Sequence, residues 1–142
     1  MLGESQPIDG VGLCLSGGGY RAMLFHVGAL RRLLETGKLF ELTRVSSVSG
    51  GSITAAVLAL AWNDLRNGGM KAFDAQVVRP LRGLASVTID DRSIIGGILL
   101  PGSIAQYVAN AYAKHLFGER TLQDLPENPR FIINATNLET GS

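Results

Sequence analysis

The chain has little cysteine and little charge. Cys14 is its one cysteine, so an internal disulfide is excluded, and within a predicted strand we interpret it as a small core residue. Charged residues make up only 18% of the sequence and the formal net charge is +1, so no overall field favours nucleic acid as a partner. Hydrophobic residues make up 46%, which is typical of a globular α/β core and not of a disordered chain.

Long apolar runs are also missing from the sequence. Without a stretch of about 18 apolar residues, no transmembrane helix is predicted. The first residues contain no basic stretch followed by an apolar one, so we expect no secretory signal. These absences favour a cytoplasmic location, and peripheral contact with a membrane is compatible with it.

Two glycine-rich segments carry most of the information that is present. The first, Ser16–Ala22 (SGGGYRA, here the glycine loop), follows the short apolar run Val11–Leu15. The second, Ser47–Ser52 (SVSGGS, here the serine turn), follows Thr43–Ser46. Each has a strand-like lead-in, a tight turn and a helix-like continuation, which is the pattern of a βα connection.

The spacing of these segments predicts a βαβ unit. A helix is expected over residues 20–36, because apolar side chains recur there at steps of three and four; they are Met23, Val27, Leu30 and Leu34. Gly37 is a suitable residue for its carboxyl end. The two strands of such a unit are parallel, so both glycine-rich segments lie at the same edge of the sheet, where α/β proteins bind ligands.

This arrangement suggests an esterase-type site. Ser49 stands at the sharp strand-to-helix turn where a nucleophile is exposed, with the small residues Ser47 and Gly51 on either side. The consecutive backbone N–H groups of the glycine loop, from Gly17, Gly18 and Gly19, can stabilise an oxyanion. No cofactor or metal is needed for this chemistry.

Other interpretations stay open. The glycine loop could cradle a phosphate, although it lacks the P-loop lysine and the dinucleotide-binding glycine spacing, or it could be a tight turn without a ligand. Arg21 could hold the loop, bind an anionic head group, or be an ordinary surface residue. The rival hydroxyls are Ser46, Ser47 and Ser52, of which Ser52 could help to cap the second helix.

The general base is missing from the pattern. His26 is interpreted as a polar residue at a packing boundary and His115 as a residue near a helix end, so neither is favoured as the base of a triad. No aspartate stands in a favourable context; they are Asp9, Asp64, Asp74, Asp90, Asp91 and Asp124. A serine hydroxyl needs such a partner, so we expect the base outside these 142 residues.

Further elements are expected along the rest of the chain. A second helix should run from about 50–52 to about 63, with a buried stripe formed by Ile53, Ala56, Val57, Leu60 and Ala61, and be closed by residues 66–69. The remaining expectations are a short helix over 70–82 ending near Pro80, an apolar segment at 93–102, a helix over 104–117, a helical turn at 122–125 capped by Thr121, a strand at 131–135 and a turn at 137–141. A turn after that strand predicts further strands, so residues 1–142 are expected to be the amino-terminal part of a larger domain.

Three segments together resemble the patatin-like phospholipases: residues 12–22, 47–52 and 131–141. The resemblance covers most of the chain. It implies a three-layer αβα fold with a mainly parallel sheet and a Ser-Asp dyad, in which Ser49 is the nucleophile, Gly17–Gly19 form the oxyanion hole, and Arg21 and Gly50 support it. The sequence departs from the family pattern at Ser16, where aspartate is frequent, and at Ser47, where glycine is usual. The family's aspartate lies in a later Asp-Gly motif, and Asp9-Gly10 stands too early to be that motif.

The resemblance implies a lipid acyl hydrolase of the phospholipase A type, active in lipid degradation. Its substrate would be a phospholipid or another lipid ester, and the aspartate would come from the rest of the same domain or from a second chain. The alternatives are a binding module for an anionic or lipid head group that performs no chemistry, and an inert fragment of a larger enzyme. No nucleic acid partner is expected.

Overall fold

A βαβ unit begins the structure, a computed structural model that describes residues 9–86 and 109–135. Strand β1 spans Val11–Leu15, helix α1 spans Gly19–Glu35, and strand β2 spans Leu42–Val48. A short 3-10 turn, Lys38–Glu41, connects α1 to β2. The predicted strand–helix–strand order is therefore confirmed.

A third strand, β3 (Arg130–Asn134), completes a three-stranded sheet of order β1-β2-β3. All neighbouring strands are parallel, with Leu15 opposite Ser47 and Val48 opposite Asn134. The carboxyl ends of the three strands therefore meet at one edge. This confirms the predicted α/β class with a parallel sheet.

Helix α1 packs through the predicted stripe. Met23, Val27 and Leu30 are buried, whereas Leu34 is half-buried. His26 is buried on the same side of the helix. The helix ends at the C-cap Thr36, and Gly37 follows in the left-handed conformation, as predicted from the preference of glycine for this position.

Helix α2 (Gly50–Phe73) is longer than predicted. The expected closure at residues 66–69 is confirmed, because Gly69 has a non-helical φ of 52° and ψ of −134°, and this kink divides α2 into two helical segments. Its buried stripe was assigned wrongly in part. Ile53, Ala56 and Leu60 are half-exposed, and the buried side is formed by Thr54, Ala55, Val57, Leu58, Ala59, Ala61, Trp62 and Leu65.

The helical path continues beyond α2 through a π-helical turn, Asp74–Val78, into helix α3 (Arg79–Ala85). The expected helix end near Pro80 is wrong, because Pro80 stands in the first turn of α3, where its missing N–H costs nothing. Residues 109–112 are helical, and a π-helical turn (Ala113–Phe117) and a 3-10 turn (Leu122–Asp124) follow. The predicted Thr121 cap is confirmed. The segments 93–102 and 137–141, and the first part of the predicted helix 104–117, lie outside the described residues.

The core lies between the sheet and the helices. Its largest fully buried side chains come from α1, α2, the π-helical turn and α3; they include Met23, Leu30, Leu58, Trp62, Leu65, Phe73, Val77, Leu81 and Leu84. Cys14 does not belong to this core and is exposed, which corrects the sequence-based interpretation. Successive side chains of a strand point to opposite faces of the sheet, and Cys14 lies on the face opposite to that of the buried Leu15. In the part of the chain that the structure describes, no helix combines the length and apolar character needed to cross a membrane.

Candidate active site

Ser49 occupies a strained turn between β2 and α2. Its φ is 54° and its ψ is −126°, and among residues 9–86 and 109–135 no other non-glycine residue has a positive φ. A serine tolerates this conformation only where the surrounding structure enforces it. Its carbonyl oxygen starts α2 by accepting hydrogen bonds from the N–H groups of Ser52 (2.8 Å) and Ile53 (3.3 Å). The residue itself is exposed, as a nucleophile at a strand-to-helix turn must be.

The glycine loop lies directly against the serine turn. A Cβ added at Gly17 would be 3.2 Å from Ser49 Cβ and 3.8 Å from Ser49 Oγ. A Cβ added at Gly50 would overlap the carbonyl oxygen of Gly19, and one added at Gly51 would overlap that of Leu15. The two glycine-rich segments are therefore neighbours, as their topology predicts, and the glycines allow this approach because they lack side chains.

The glycine loop forms the amino end of α1, where backbone N–H groups and partial positive charge favour an anion. Gly18 (φ 133°) is the N-cap of α1 and Gly19 (φ 60°) is its first residue. The first intrahelical hydrogen bond runs from Ala22 N–H to Gly18 O (3.4 Å), so the Gly19 N–H precedes the hydrogen-bonded ladder. The amino end of a helix also carries partial positive charge, which favours an anion beside it.

The rival hydroxyls have other surroundings. Ser46 Oγ accepts a hydrogen bond from Asn134 Nδ2 (3.1 Å), and Ser47 is buried and donates to Ile132 O (3.2 Å). Ser52 Oγ is buried and has no hydrogen-bond partner among the described residues. Ser49 is thus the exposed hydroxyl of the serine turn, and its role as the nucleophile stays a prediction.

Asn134 is a site residue that the sequence alone did not reveal. It ends β3 and donates from Nδ2 to Ser47 O (3.0 Å) as well as to Ser46 Oγ. The amide therefore ties the third strand to the residues that lead into Ser49. Only the register of β3 against β2 creates this contact, so no local signal pointed to it.

The two histidines have different environments. His115 is exposed on the π-helical turn Ala113–Phe117. His26 is buried, and its Nε2 lies 2.9 Å from Ser16 O and 3.4 Å from Ser16 Oγ. The structure thus joins His26 to the start of the glycine loop, which sequence reasoning missed. His26 follows shortly after the glycine loop and lies on the buried side of α1, and this position is the signal that could have suggested the contact.

Arg21 is exposed, and no described residue forms a hydrogen bond or ion pair with its guanidinium. Among the expected supporting residues, Gly50 touches the glycine loop, through the backbone of Gly19. Arg21 is instead available to solvent beside the amino end of α1. Its expected contact with the carbonyls of the loop is not formed within the described part of the chain.

The aspartates of the described helices and turns are engaged elsewhere. Asp64 accepts a hydrogen bond from Gln76 (2.8 Å), and Asp74 pairs with Arg31 (2.9 Å). Asp124 accepts from the Thr121 N–H, and chiefly this hydrogen bond lowers the pKa of its carboxyl group. Asp90 and Asp91 lie outside the described residues. None of these contacts brings a carboxylate to Ser49.

A cavity of about 520 Å³ opens at Ser49. Its described lining comes from both glycine-rich segments and from β3, and consists of Gly19, Tyr20, Val48, Ser49, Gly50, Ser52, Ile53, Tyr112, Ile133, Asn134 and Ala135. These residues include neither a carboxylate nor an imidazole. The described part of the cavity therefore offers a hydroxyl, backbone amides and apolar surface.

An apolar groove of about 370 Å³ adjoins this cavity and shares Ser52, Ile53 and Ile133 with it. One wall of the groove is formed by the half-exposed residues of α2, which are Ile53, Ala56 and Leu60. The other wall comes from the segment after α3 and consists of Phe117, Arg120, Thr121, Leu122 and Leu125. The volume is within the range of small-molecule sites, roughly 300–1,000 Å³. Ile53, Ala56 and Leu60, which the sequence pattern assigned to the core, therefore line a groove that adjoins the cavity of Ser49.

Among the described residues, no group of three or more His, Cys, Asp or Glu side chains could hold a metal ion.

Comparison with known proteins gives one family: a model of the patatin-like phospholipase domain matches residues 13–141. No curated protein and no solved structure gives a significant match. The matched range spans β1, both glycine-rich segments and β3. The chain therefore belongs to the patatin-like phospholipase family.

Proposed function

We propose that this chain carries the nucleophile and the oxyanion hole of a serine lipid acyl hydrolase of the phospholipase A type. The family indicates lipid acyl hydrolysis in general. The observation that carries the finer proposal is the position of Ser49, which is exposed at a φ of 54° and lies against the backbone of Gly17. A strained serine at a strand-to-helix turn, beside backbone N–H groups that can stabilise an oxyanion, is an arrangement that supports ester hydrolysis.

In the proposed reaction, Ser49 Oγ attacks the carbonyl carbon of a lipid ester and its proton passes to a carboxylate. The resulting oxyanion is stabilised by the N–H groups of Gly17, Gly18 and Gly19, each of which contributes roughly 3–4 kcal/mol in comparable sites. The carboxylic acid returns this proton to the departing alcohol, and an acyl-enzyme remains on Ser49. Water then attacks this ester and gives up a proton to the same carboxylate, and the fatty acid is released as the proton returns to Ser49 Oγ.

The carboxylate in this proposal is an aspartate from outside residues 1–142, in accordance with the Ser-Asp dyad that the family implies. Support comes from the described cavity lining, which contains no carboxylate, and from the engagement of Asp64, Asp74 and Asp124 in other contacts. The aspartate would come from the rest of the domain or from a second chain. Residues 1–142 would then be the amino-terminal part of the catalytic domain.

The apolar groove suggests where the acyl chain of the substrate lies. It begins at the cavity of Ser49 and is walled by Ile53, Ala56 and Leu60. Burying an acyl chain there contributes about 0.8 kcal/mol per methylene. Arg21, exposed at the amino end of α1, is suited to an anionic head group or to the surface of a membrane.

The decisive experiment is covalent labelling. The purified protein, together with the part of the domain or the second chain that supplies the aspartate, is treated with a fluorophosphonate, and its intact mass is compared with those of Ser49→Ala and Ser52→Ala. We expect a single adduct on the wild type and on Ser52→Ala and none on Ser49→Ala. Ser52→Ala is the matched control because Ser52 lines the same cavity, whereas its hydroxyl is buried and has no partner in the described part of the chain. An unlabelled but folded wild type, or an adduct that persists in Ser49→Ala, would contradict the proposal.

The absence of a carboxylate from the described lining also favours a second candidate, a binding module for an anionic lipid head group. The glycine loop and Arg21 would then bind the anion without chemistry. This candidate expects Ser49→Ala to retain the affinity of the wild type for vesicles containing anionic phospholipid, and the wild type to remain unlabelled. Labelling of the wild type and vesicle binding by Ser49→Ala therefore distinguish the hydrolase from the binding module.

A further inference from the structure

We infer that His26 is a positioning residue, which fixes the peptide between Ser16 and Gly17 and thereby aims the Gly17 N–H. The catalytic consequence of this inference rests on the proposed function, in which that N–H belongs to the oxyanion hole. The contact itself is a hydrogen bond from the imidazole of α1 to the residue that opens the glycine loop. It joins a buried side chain to a backbone carbonyl within a site whose other groups are largely exposed.

The hydrogen bond assigns the tautomer of the ring. A carbonyl oxygen can only accept, so at 2.9 Å from Ser16 O the Nε2 atom must carry the proton. The longer 3.4 Å contact with Ser16 Oγ is secondary, since Nε2–H is already directed to the carbonyl. The ring of Phe25 meets the imidazole edge to face, with centroids 5.8 Å apart.

A trans peptide is planar, and its C=O and N–H point in opposite directions. Holding the Ser16 carbonyl toward His26 therefore turns the Gly17 N–H away from His26. Gly17 stands next to Ser49, since a Cβ built on it would lie 3.2 Å from Ser49 Cβ. An amide whose carbonyl accepts a hydrogen bond is also a stronger donor through its N–H.

Without this anchor the loop has few restraints of its own. Gly17, Gly18 and Gly19 are adjacent, and glycine has the largest backbone freedom of any residue. An oxyanion hole depends on donors that are already oriented before charge develops. His26 provides such orientation from a rigid helix, because the residues around it on α1, Met23, Val27 and Leu30, are buried in the core.

The test compares His26→Gln with His26→Leu in the full chain. The amide nitrogen of glutamine reaches about the position of imidazole Nε2 and can donate to Ser16 O, whereas leucine fills similar space without a donor. Losing an oxyanion-hole donor slows reactions about 10²–10³-fold, so a misaimed one should lower the rate constant for fluorophosphonate labelling roughly 10- to 100-fold in His26→Leu. His26→Gln should keep most of the wild-type rate. Equal rates in the two variants, whether fast or slow, would overturn the inference.

Nuclear magnetic resonance provides readouts that do not depend on catalysis. In the wild type, ¹⁵N shifts of the imidazole should identify the Nε2–H tautomer, and an Nδ1–H tautomer would overturn the inference even if the leucine variant does not fold. The Gly17 amide shift should change in His26→Leu and return toward the wild-type value in His26→Gln. If these shifts behave as expected while the wild type resists labelling, the positioning role stands and the proposed hydrolase fails.

Discussion

At the scale of single residues, Ser49 holds a backbone conformation that glycine adopts at no steric cost. Its φ of 54° and ψ of −126° are outside the regions that side chains prefer, at a cost of roughly 1–3 kcal/mol. The position nevertheless carries a hydroxyl, as the proposed role of Ser49 as nucleophile requires. Alanine retains this strain and glycine relieves it, so the two substitutions separate strain from the loss of the hydroxyl.

We therefore expect Ser49→Gly to be more stable than Ser49→Ala by about 1 kcal/mol, after the greater entropy of glycine in the unfolded chain is subtracted. Urea denaturation followed by circular dichroism measures the difference. Ser46 on β2 is the matched control, since Ser46→Gly should there be less stable than Ser46→Ala. A glycine variant at position 49 that is no more stable than the alanine variant would contradict the strained turn.

A second prediction concerns the contact between the two glycine-rich segments. Gly51→Ala places a Cβ against the backbone of Leu15 and Ser16, which cannot move without shifting β1. Overpacking of this kind costs about 1–3 kcal/mol. Gly28 on α1 is the control, because no atom of the described residues lies within 4 Å of a Cβ built there, and Gly28→Ala should stabilise the helix by about 0.5–1 kcal/mol.

Thermal unfolding by differential scanning fluorimetry distinguishes these opposite shifts. Gly51→Ala should lower the midpoint and also slow fluorophosphonate labelling, because the glycine loop and Ser49 move apart. Gly28→Ala should raise the midpoint and leave labelling unchanged. If Gly51→Ala behaves like Gly28→Ala, the close approach of α2 to the end of β1 is wrong.

At the scale of elements, the sequence predicted those whose signals are local. Strand β1, helix α1 and strand β2 follow from a short apolar run, an apolar stripe and glycine-marked turns. Helix α2 was harder, since apolar residues surround it on nearly all sides and its sequence alone does not say which side faces the core. The exposure of Cys14 depends on which face of β1 packs against the core, and the short apolar run alone does not show this.

The candidate site likewise contains residues that the sequence predicts and residues that only the structure reveals. Ser49 and the glycine loop follow from residue types at a predictable topology, and their neighbourhood needed only the parallel pairing of β1 and β2. The roles of His26 and Asn134 needed contacts that depend on helix rotation and strand register. Long-range hydrogen bonds of this kind leave no periodic pattern in a sequence.

An aromatic cluster joins three elements around α2 and gives an element-scale prediction. Trp62 meets the rings of Phe40 and Phe131 edge to face, at centroid distances of 5.5 and 6.1 Å. It is fully buried, yet its Nε1 has no hydrogen-bond partner within residues 9–86 and 109–135. Trp62→Ala should lower the free energy of unfolding by about 3–5 kcal/mol, because it leaves a large cavity.

Trp62→Phe should cost much less than Trp62→Ala, since it keeps most of the aromatic contact and removes a buried N–H that lacks a partner. Urea denaturation followed by circular dichroism compares the two variants with the wild type. Equal losses in both would mean that the indole N–H contributes as much as the ring packing, contrary to the absence of a partner for it.

At the scale of the whole molecule, the groove and the cavity of Ser49 form one continuous surface built from distant parts of the chain. Ile53, Ala56 and Leu60 of α2 face Phe117, Leu122 and Leu125 from the segment after α3. Because Ala56 lies on a wall of the groove and not in the cavity of Ser49, a bulky residue there should obstruct the path of an acyl chain without touching the nucleophile. Chain-length selectivity is therefore expected to depend on this residue.

Ala56→Trp should lower the rate constant for labelling by a fluorophosphonate with a long alkyl chain at least about tenfold, since several methylenes at about 0.8 kcal/mol each lose their apolar contacts. Labelling by a short-chain fluorophosphonate should change less than about twofold, because that reagent occupies only the cavity of Ser49. Ala29→Trp, at an exposed position of α1, is the matched control and should leave both rates unchanged. Equal slowing of both reagents by Ala56→Trp would mean that the substitution distorts Ser49, and no slowing of either would mean that the acyl chain leaves the site by another path.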